Sequence, residues 1–219
     1  MADTRTQWAF SKLRHMIMEN ELQHGQPYLE QTLATRLGIS RTPLREAALR
    51  LQEEGFVDIR PRLGIHIRPI SCADMSEIYD ILTELEPYAA RRLAEMPAPA
   101  AALDALTAHV AAMEAALSAD DLRGWAEADR AFHQALIEHA GNRRAERIVS
   151  TLFDQVHRAR ILTLNRRSGL DRSNDDHRRL IALIRAGDGA GAADVHRTHR
   201  ETARREMLVL LSEMGVDGV

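Results

Sequence analysis

Apolar residues recur every three or four positions along most of this chain, which predicts helices, and the exceptions cluster in one short stretch. Trp8, Leu13, Ile17 and Leu22 suit a first helix, broken at Gly25-Gln26-Pro27. Leu29, Leu33 and Leu37 mark a second, ending at Gly38. A third opens at Ser40-Arg41-Thr42-Pro43, where a first-turn proline sacrifices no helical hydrogen bond. Its buried stripe is Leu44, Ala47, Ala48 and Leu51, and Gly55 stops it. The period then drops to two. Phe56-Val57-Asp58-Ile59-Arg60 and Gly64-Ile65-His66-Ile67-Arg68 alternate like a hairpin around Pro61-Arg62-Leu63. From Ser71 onward only helical spacing remains, over about 73–96, 99–118, 121–140, 142–165, 171–186 and 189–214. Ser71, with Asp74 three residues on, is a helix-starting signal. No repeat of fixed period is present.

This pattern predicts a mainly α protein of two domains. Residues 1–70 form a winged helix-turn-helix, and residues 71–219 form an all-α six-helix bundle. Composition adds limits rather than direction. With 219 residues and 45% apolar content, the chain can build two cores. It has no uninterrupted run of 18 apolar residues to cross a bilayer. Met1-Ala2-Asp3-Thr4-Arg5 lacks the basic-then-apolar signature of a secretory leader, and Cys72 is the only cysteine. A cytoplasmic protein without a membrane partner is the expectation. The net charge of −3 is uneven, at +2 over residues 1–70 and −5 over the rest, which permits DNA binding by the head.

In such a head the third helix is the natural reader of the DNA major groove. Arg41, Thr42 and Arg45 occupy its first turns, away from the Leu44 and Ala48 stripe. A guanidinium can grip guanine O6 and N7 together, so Arg41 and Arg45 are the candidate base readers. Arg36 and Ser40 are placed to hold phosphates, and Arg62 sits at the wing tip. On spacing alone, an ordinary three-helix domain with surface arginines gives the same pattern. The run Leu33-Ala34-Thr35-Arg36-Leu37-Gly38-Ile39-Ser40-Arg41-Thr42-Pro43-Leu44-Arg45-Glu46-Ala47, then Leu51-Gln52-Glu53-Glu54-Gly55-Phe56-Val57, resembles the GntR family of bacterial regulators from about residue 7 to 70. That resemblance implies DNA contacts at Ser40, Arg41, Thr42 and Arg45, and at Arg62 and Gly64 in the wing. Gln31 stands where the family is often basic.

The rear domain carries a second constellation. Asp129 and His133 lie four residues apart in the middle of an apolar stripe running from Leu122 through Trp125, Phe132 and Leu136. His177 shares a face with Leu180, Ile181 and Ile184, and His199 shares one with Val195, Ala203 and Met207. One carboxylate and three imidazoles aimed at one interior suit a divalent ion, zinc first, with nickel or manganese as alternatives. A histidine on an apolar face is more often an ordinary core residue, and His109, His139 and His157 are read that way. His196 is read as exposed or as lying just outside the ligand set. Residues 73–214 resemble the FCD domain of the FadR subfamily, and six helices match its shorter, VanR-like form. The resemblance implies that Asp129, His133, His177 and His199 are the metal ligands.

It also implies that a small carboxylate or sugar acid completes the metal's shell. The family's pocket arginine in the first rear helix aligns with Leu82 here, leaving Arg130, Arg158 and Arg160 as candidate effector contacts. Glu86 is assigned to structural contacts. A metalloenzyme would need a general base near the metal, and Glu127 and Glu138 fall off the apolar stripe. The expected function is therefore a DNA-binding transcriptional regulator, a repressor, acting as a homodimer on a pseudo-palindromic operator. A metal-free pocket for a larger organic ligand is the alternative.

Overall fold

The computed structural model describes residues 2–97 and 100–216. The chain divides into two compact units, Met1–Pro69 and Ile70–Val219. In the first, α1 (Ala2–Met18), α2 (Glu30–Leu37) and α3 (Arg41–Glu53) surround a core of Phe10, Leu13, Ile17, Leu33, Leu44, Leu51 and Phe56. Gly38 closes α2 in the left-handed conformation, at φ 66°, and its N–H returns to the α2 carbonyls of Ala34 and Thr35. Ser40 is the N-cap of α3 by backbone conformation.

Two expectations for this unit need correcting. Trp8 is 48% exposed, and Ala9 and Phe10 take the buried places on α1. The five-residue step from Trp8 to Leu13 rotates the indole about 140° off the stripe. Leu22 is buried but lies beyond the helix, which ends at Met18 before a left-handed Asn20. The wing also has more strands than the hairpin pattern suggests. β1 (Pro27–Tyr28) pairs antiparallel with β3 (Gly64–Ile67), which pairs with β2 (Val57–Arg60), in the order β1-β3-β2. A two-residue strand has too little alternation to be read from sequence, and Pro27 looks there only like a helix breaker.

Two wing residues have left-handed backbones. Arg62 lies at φ 65° in the three-residue loop between β2 and β3. Gly64 lies at φ 93°, and a Cβ there would sit 2.5 Å from the Tyr28 carbonyl oxygen. Gly64 thus has a structural reason to be glycine: it lets β1 close onto β3. It is half-buried behind the wing tip, not an open surface contact.

In the second unit the helices are α4 (Cys72–Glu95), α5 (Ala100–Ser118), α6 (Leu122–His139), α7 (Arg143–Thr163), α8 (Leu170–Ala186) and α9 (Gly189–Glu213). The expected start of α5 at residue 99 lies outside the described residues. Side chains cap four of these helices. Ser71 accepts from Asp74 N, Asp121 from Gly124 N, Asn142 from Arg144 N and Ala145 N, and Asp188 from Gly191 N. α4 lies along α9 and α5 along α6. Tyr79, Leu82, Leu93, Trp125, Phe132, Leu136 and Val149 fill the core, each burial contributing about 1.5–3 kcal/mol. α5 is apolar enough, with a mean hydropathy of 1.3, to meet the length and composition of a membrane span. Its alanine content produces that value, while Leu106, Val110 and Met113 pack it into the bundle.

Candidate metal centre and nucleic-acid interface

The apolar stripes of α6, α8 and α9 carry their polar exceptions to one place. Asp129, His133, His177 and His199 are all buried, none more than 6% exposed. One ligating atom from each of His133, His177 and His199 lies within 4.8 Å of the others. Asp129 Oδ1 is 3.7 Å from His133 Nε2 and 3.9 Å from His177 Nε2. All four residues singled out in the sequence are therefore neighbours. His133 Nε2 and both ring nitrogens of His177 have no hydrogen-bond partner among the described residues. Burying such groups unpaired is costly, and a cation would accept one lone pair from each ring. On that ground the residues fit a divalent ion.

The surroundings prepare the imidazoles as ligands. Burial pushes His177 and His199 well below the ordinary histidine pKa, so both are neutral at pH 7. Burial alone would raise the Asp129 carboxyl, but Arg160, followed by His133, reverses this and holds it well below the carboxylate range. Arg160 donates to Asp129 Oδ2, leaving Oδ1 turned toward the histidines. His199 Nδ1 lies 3.3 Å from Asp176 Oδ2.

Glu86 is the residue sequence reading undervalued. It is fully buried on α4, and its Oε2 is 2.8 Å from both His133 Nδ1 and His196 Nε2. Arg200 Nη2 forms a buried ion pair with Oε1 at 2.5 Å. Glu86, His133 and His196 also have ligand atoms within 4.8 Å of one another, while the two hydrogen bonds place Glu86 to orient the His133 ring. By accepting from Nδ1–H it assigns the His133 tautomer whose Nε2 lone pair faces His177. Desolvation would raise the Glu86 carboxyl, but Arg200 and His133 keep it well below the ordinary range. A signal for this role was legible: Glu86 falls on the same helical face as Tyr79, Leu82 and Leu93.

Of the two readings of His196, exposed or just outside the ligand set, the structure agrees with the second. His196 is 1% exposed, and burial lowers its pKa to about 4. It lies behind the cluster on Glu86. Of the arginines named for an effector, Arg160 contacts the four-residue set, at Asp129. Arg130 is turned onto Asp154, at 2.5 Å. Arg158 is half-buried on α7, its pKa lowered by desolvation to about 10. Leu82 is wholly buried in the core.

In the first unit, Ser40, Arg41, Thr42 and Arg45 are all exposed at the start of α3, while Leu44, Ala47 and Ala48 pack inward. Arg41 makes only a loose 3.5 Å contact with Glu30. Arg36 pairs with Glu21 at 2.9 Å, and both are largely exposed. Arg62 projects from the wing tip into solvent. A hollow of ≈ 550 Å³ lies between the starts of α1 and α3, lined by Ser40, Thr42 and Glu46 together with Thr4, Arg5 and Thr6. Sequence reading had not singled out Arg5.

Comparison with known proteins agrees with this division. Residues 6–67 match the family model of bacterial regulatory proteins of the gntR family, and residues 77–202 match the FCD domain. An HTH-type transcriptional regulator from the TAR-I ttuE-ttuC' intergenic region of Agrobacterium vitis is 44% identical over 135 residues, covering 61% of this chain and 79% of that protein. The HTH-type transcriptional repressor RspR of Escherichia coli is 28% identical over 177 residues, covering 81% and 77% respectively. The fold resembles the crystal structure of a GntR regulator from Rhodococcus sp. RHA1, with a TM-score of 0.79 at 20% identity, covering 94% of this chain and 98% of that one. With an exposed recognition helix ahead of an FCD bundle, this chain belongs to the GntR family, in its FadR-like subfamily, and is a DNA-binding transcriptional regulator.

Proposed function

We propose that this regulator is a repressor whose affinity for DNA is set by a small carboxylate bound at a divalent-metal site in the FCD domain. The observation that carries the reading is the set of buried, unpartnered imidazole nitrogens beside Asp129. Asp129, His133, His177 and His199 would hold the ion, zinc being the best match to three imidazoles and one carboxylate. Such an ion supplies a Lewis-acidic coordination position for an oxygen ligand. Glu86 fixes the His133 ring, Arg160 fixes Asp129, and burial favours neutral His177 and His199. A repressor named among the relatives favours that sign of regulation.

On DNA, the protein acts as a homodimer, presenting two α3 helices to the half-sites of a pseudo-palindrome. The effector reduces operator affinity by as much as it prefers the non-binding state. Arg45→Ala tests the reading head. Fluorescence anisotropy with a duplex from immediately upstream of the gene should show binding weakened by about 1–3 kcal/mol, with little change on a random duplex. Equal loss on both duplexes would make Arg45 a phosphate contact. Metal content tests the sensing half, with Asp129→Ala/His133→Ala as the control.

A further inference from the structure

The outer surface of α3 carries one side chain that the polar reading of Arg41, Thr42 and Arg45 does not use. Of the three leucines on α3, Leu44 and Leu51 are buried, while Leu49 is 45% exposed. Its neighbours define where it lies. On one flank Thr6 Oγ1 donates to Glu46 Oε2 at 2.7 Å and Arg50 Nη1 donates to Gln7 Oε1 at 2.8 Å. The Arg50 guanidinium also lies 4.1 Å over the Phe10 ring, so α1 occupies that flank. On the other flank the Ile59 N–H donates to Gln52 Oε1 at 2.8 Å, so the wing occupies that one. Leu49 lies on the strip left open between the two.

That strip points away from the core. At about 100° per residue, the seven steps from Thr42 to Leu49 return to within about 20° of the starting direction, about 10 Å further along the axis. Arg45 stands between them, turned toward the wing. Thr42, Arg45 and Leu49 are all exposed and form one outward row. At the rise of a DNA strand this row spans about three base pairs. Leucine neither donates nor accepts a hydrogen bond. Against the major-groove edge of guanine, cytosine or adenine it would strip water from polar groups and pair with none of them. Among the unmodified bases thymine alone offers an apolar group there, its C5-methyl.

We propose that Leu49 is a specificity-determining residue that reads the C5-methyl of one thymine in each half-site, two turns of α3 beyond the base pair facing Thr42. This contact rests on α3 being the reading helix. It adds an apolar reading to the hydrogen bonds assigned to Arg41 and Arg45, and it fixes one base pair of the operator as T·A. Leu49→Gln would exchange the methyl contact for an amide that matches adenine N6 and N7.

Selection of bound duplexes from a random pool, by the full chain and by its Leu49→Ala and Leu49→Gln variants, tests the contact. Wild-type sites should hold a T·A pair in each half-site that is unfixed in the Leu49→Ala sites and becomes A·T in the Leu49→Gln sites, with the other positions unchanged. Deoxyuridine in place of that thymine deletes only the methyl. It should weaken wild-type binding about three- to fivefold, the worth of one buried methyl, and Leu49→Ala binding hardly at all. Leu49 is exposed opposite the core, so both variants should melt with the wild type. If one does not, the deoxyuridine duplex still decides, because it leaves the protein untouched. The same consensus from wild type and Leu49→Ala, or equal wild-type binding to the thymine and deoxyuridine duplexes, would overturn the thymine contact. A consensus that Arg45→Ala alters and Leu49→Ala does not would overturn it while leaving α3 as the reader. A wild type that selects no consensus would overturn both.

Discussion

Glu86→Ala is expected to lower the stability of the FCD domain by about 3–5 kcal/mol, read as a fall in the urea midpoint followed by circular dichroism. One buried carboxylate receives His133, His196 and Arg200. Removing it strands the Arg200 guanidinium, 1% exposed, whose Nε and Nη1 already have no partner among the described residues. A stranded buried charge costs far more than a lost surface pair. Glu86→Gln keeps the shape and should fall in between. Both variants should also bind metal about 10–100-fold more weakly, because His133 loses the group that fixes its ring. A midpoint unchanged by Glu86→Ala would show that Arg200 finds another partner and that Glu86 does not organise the site.

Gly64→Ala should disable the wing. At φ 93° an alanine is strained by about 1–3 kcal/mol. Its Cβ would also press to 2.5 Å from the oxygen and 3.0 Å from the carbon of the Tyr28 carbonyl, both main-chain atoms. Overpacking against a backbone that cannot step aside adds a further 1–3 kcal/mol or so. Thermal unfolding should show the N-terminal unit melting earlier while the FCD unit is unaffected. If operator affinity fell with no change in melting, Gly64 would be a DNA contact and not a packing position.

The sequence was most informative where a feature repeats along one element. Six rear helices, the Ser71 cap and the α3 stripe follow from spacing and need no tertiary knowledge. The clustering of Asp129, His133, His177 and His199 was legible for a related reason, since each polar residue interrupts an apolar face. What escaped depends on contacts between distant segments. β1 exists only because β3 lies beside it, and the need for glycine at position 64 appears only once Tyr28 is in place. Glu86 interrupts its stripe as plainly as Asp129 does, but its role requires His196 and Arg200 from α9. Arg130 was misdirected because adjacency to Asp129 in sequence is not adjacency in space: a one-residue step turns a side chain about 100° around the helix, here onto Asp154.

The central claim is that buried imidazoles and Asp129 hold an ion at the heart of the sensing domain. Elemental analysis of protein purified without chelator tests it most directly. About one equivalent of zinc, nickel or manganese per chain is predicted, falling to background in a folded Asp129→Ala/His133→Ala variant. Metal-free wild-type protein, or metal content that survives the double substitution, would contradict it.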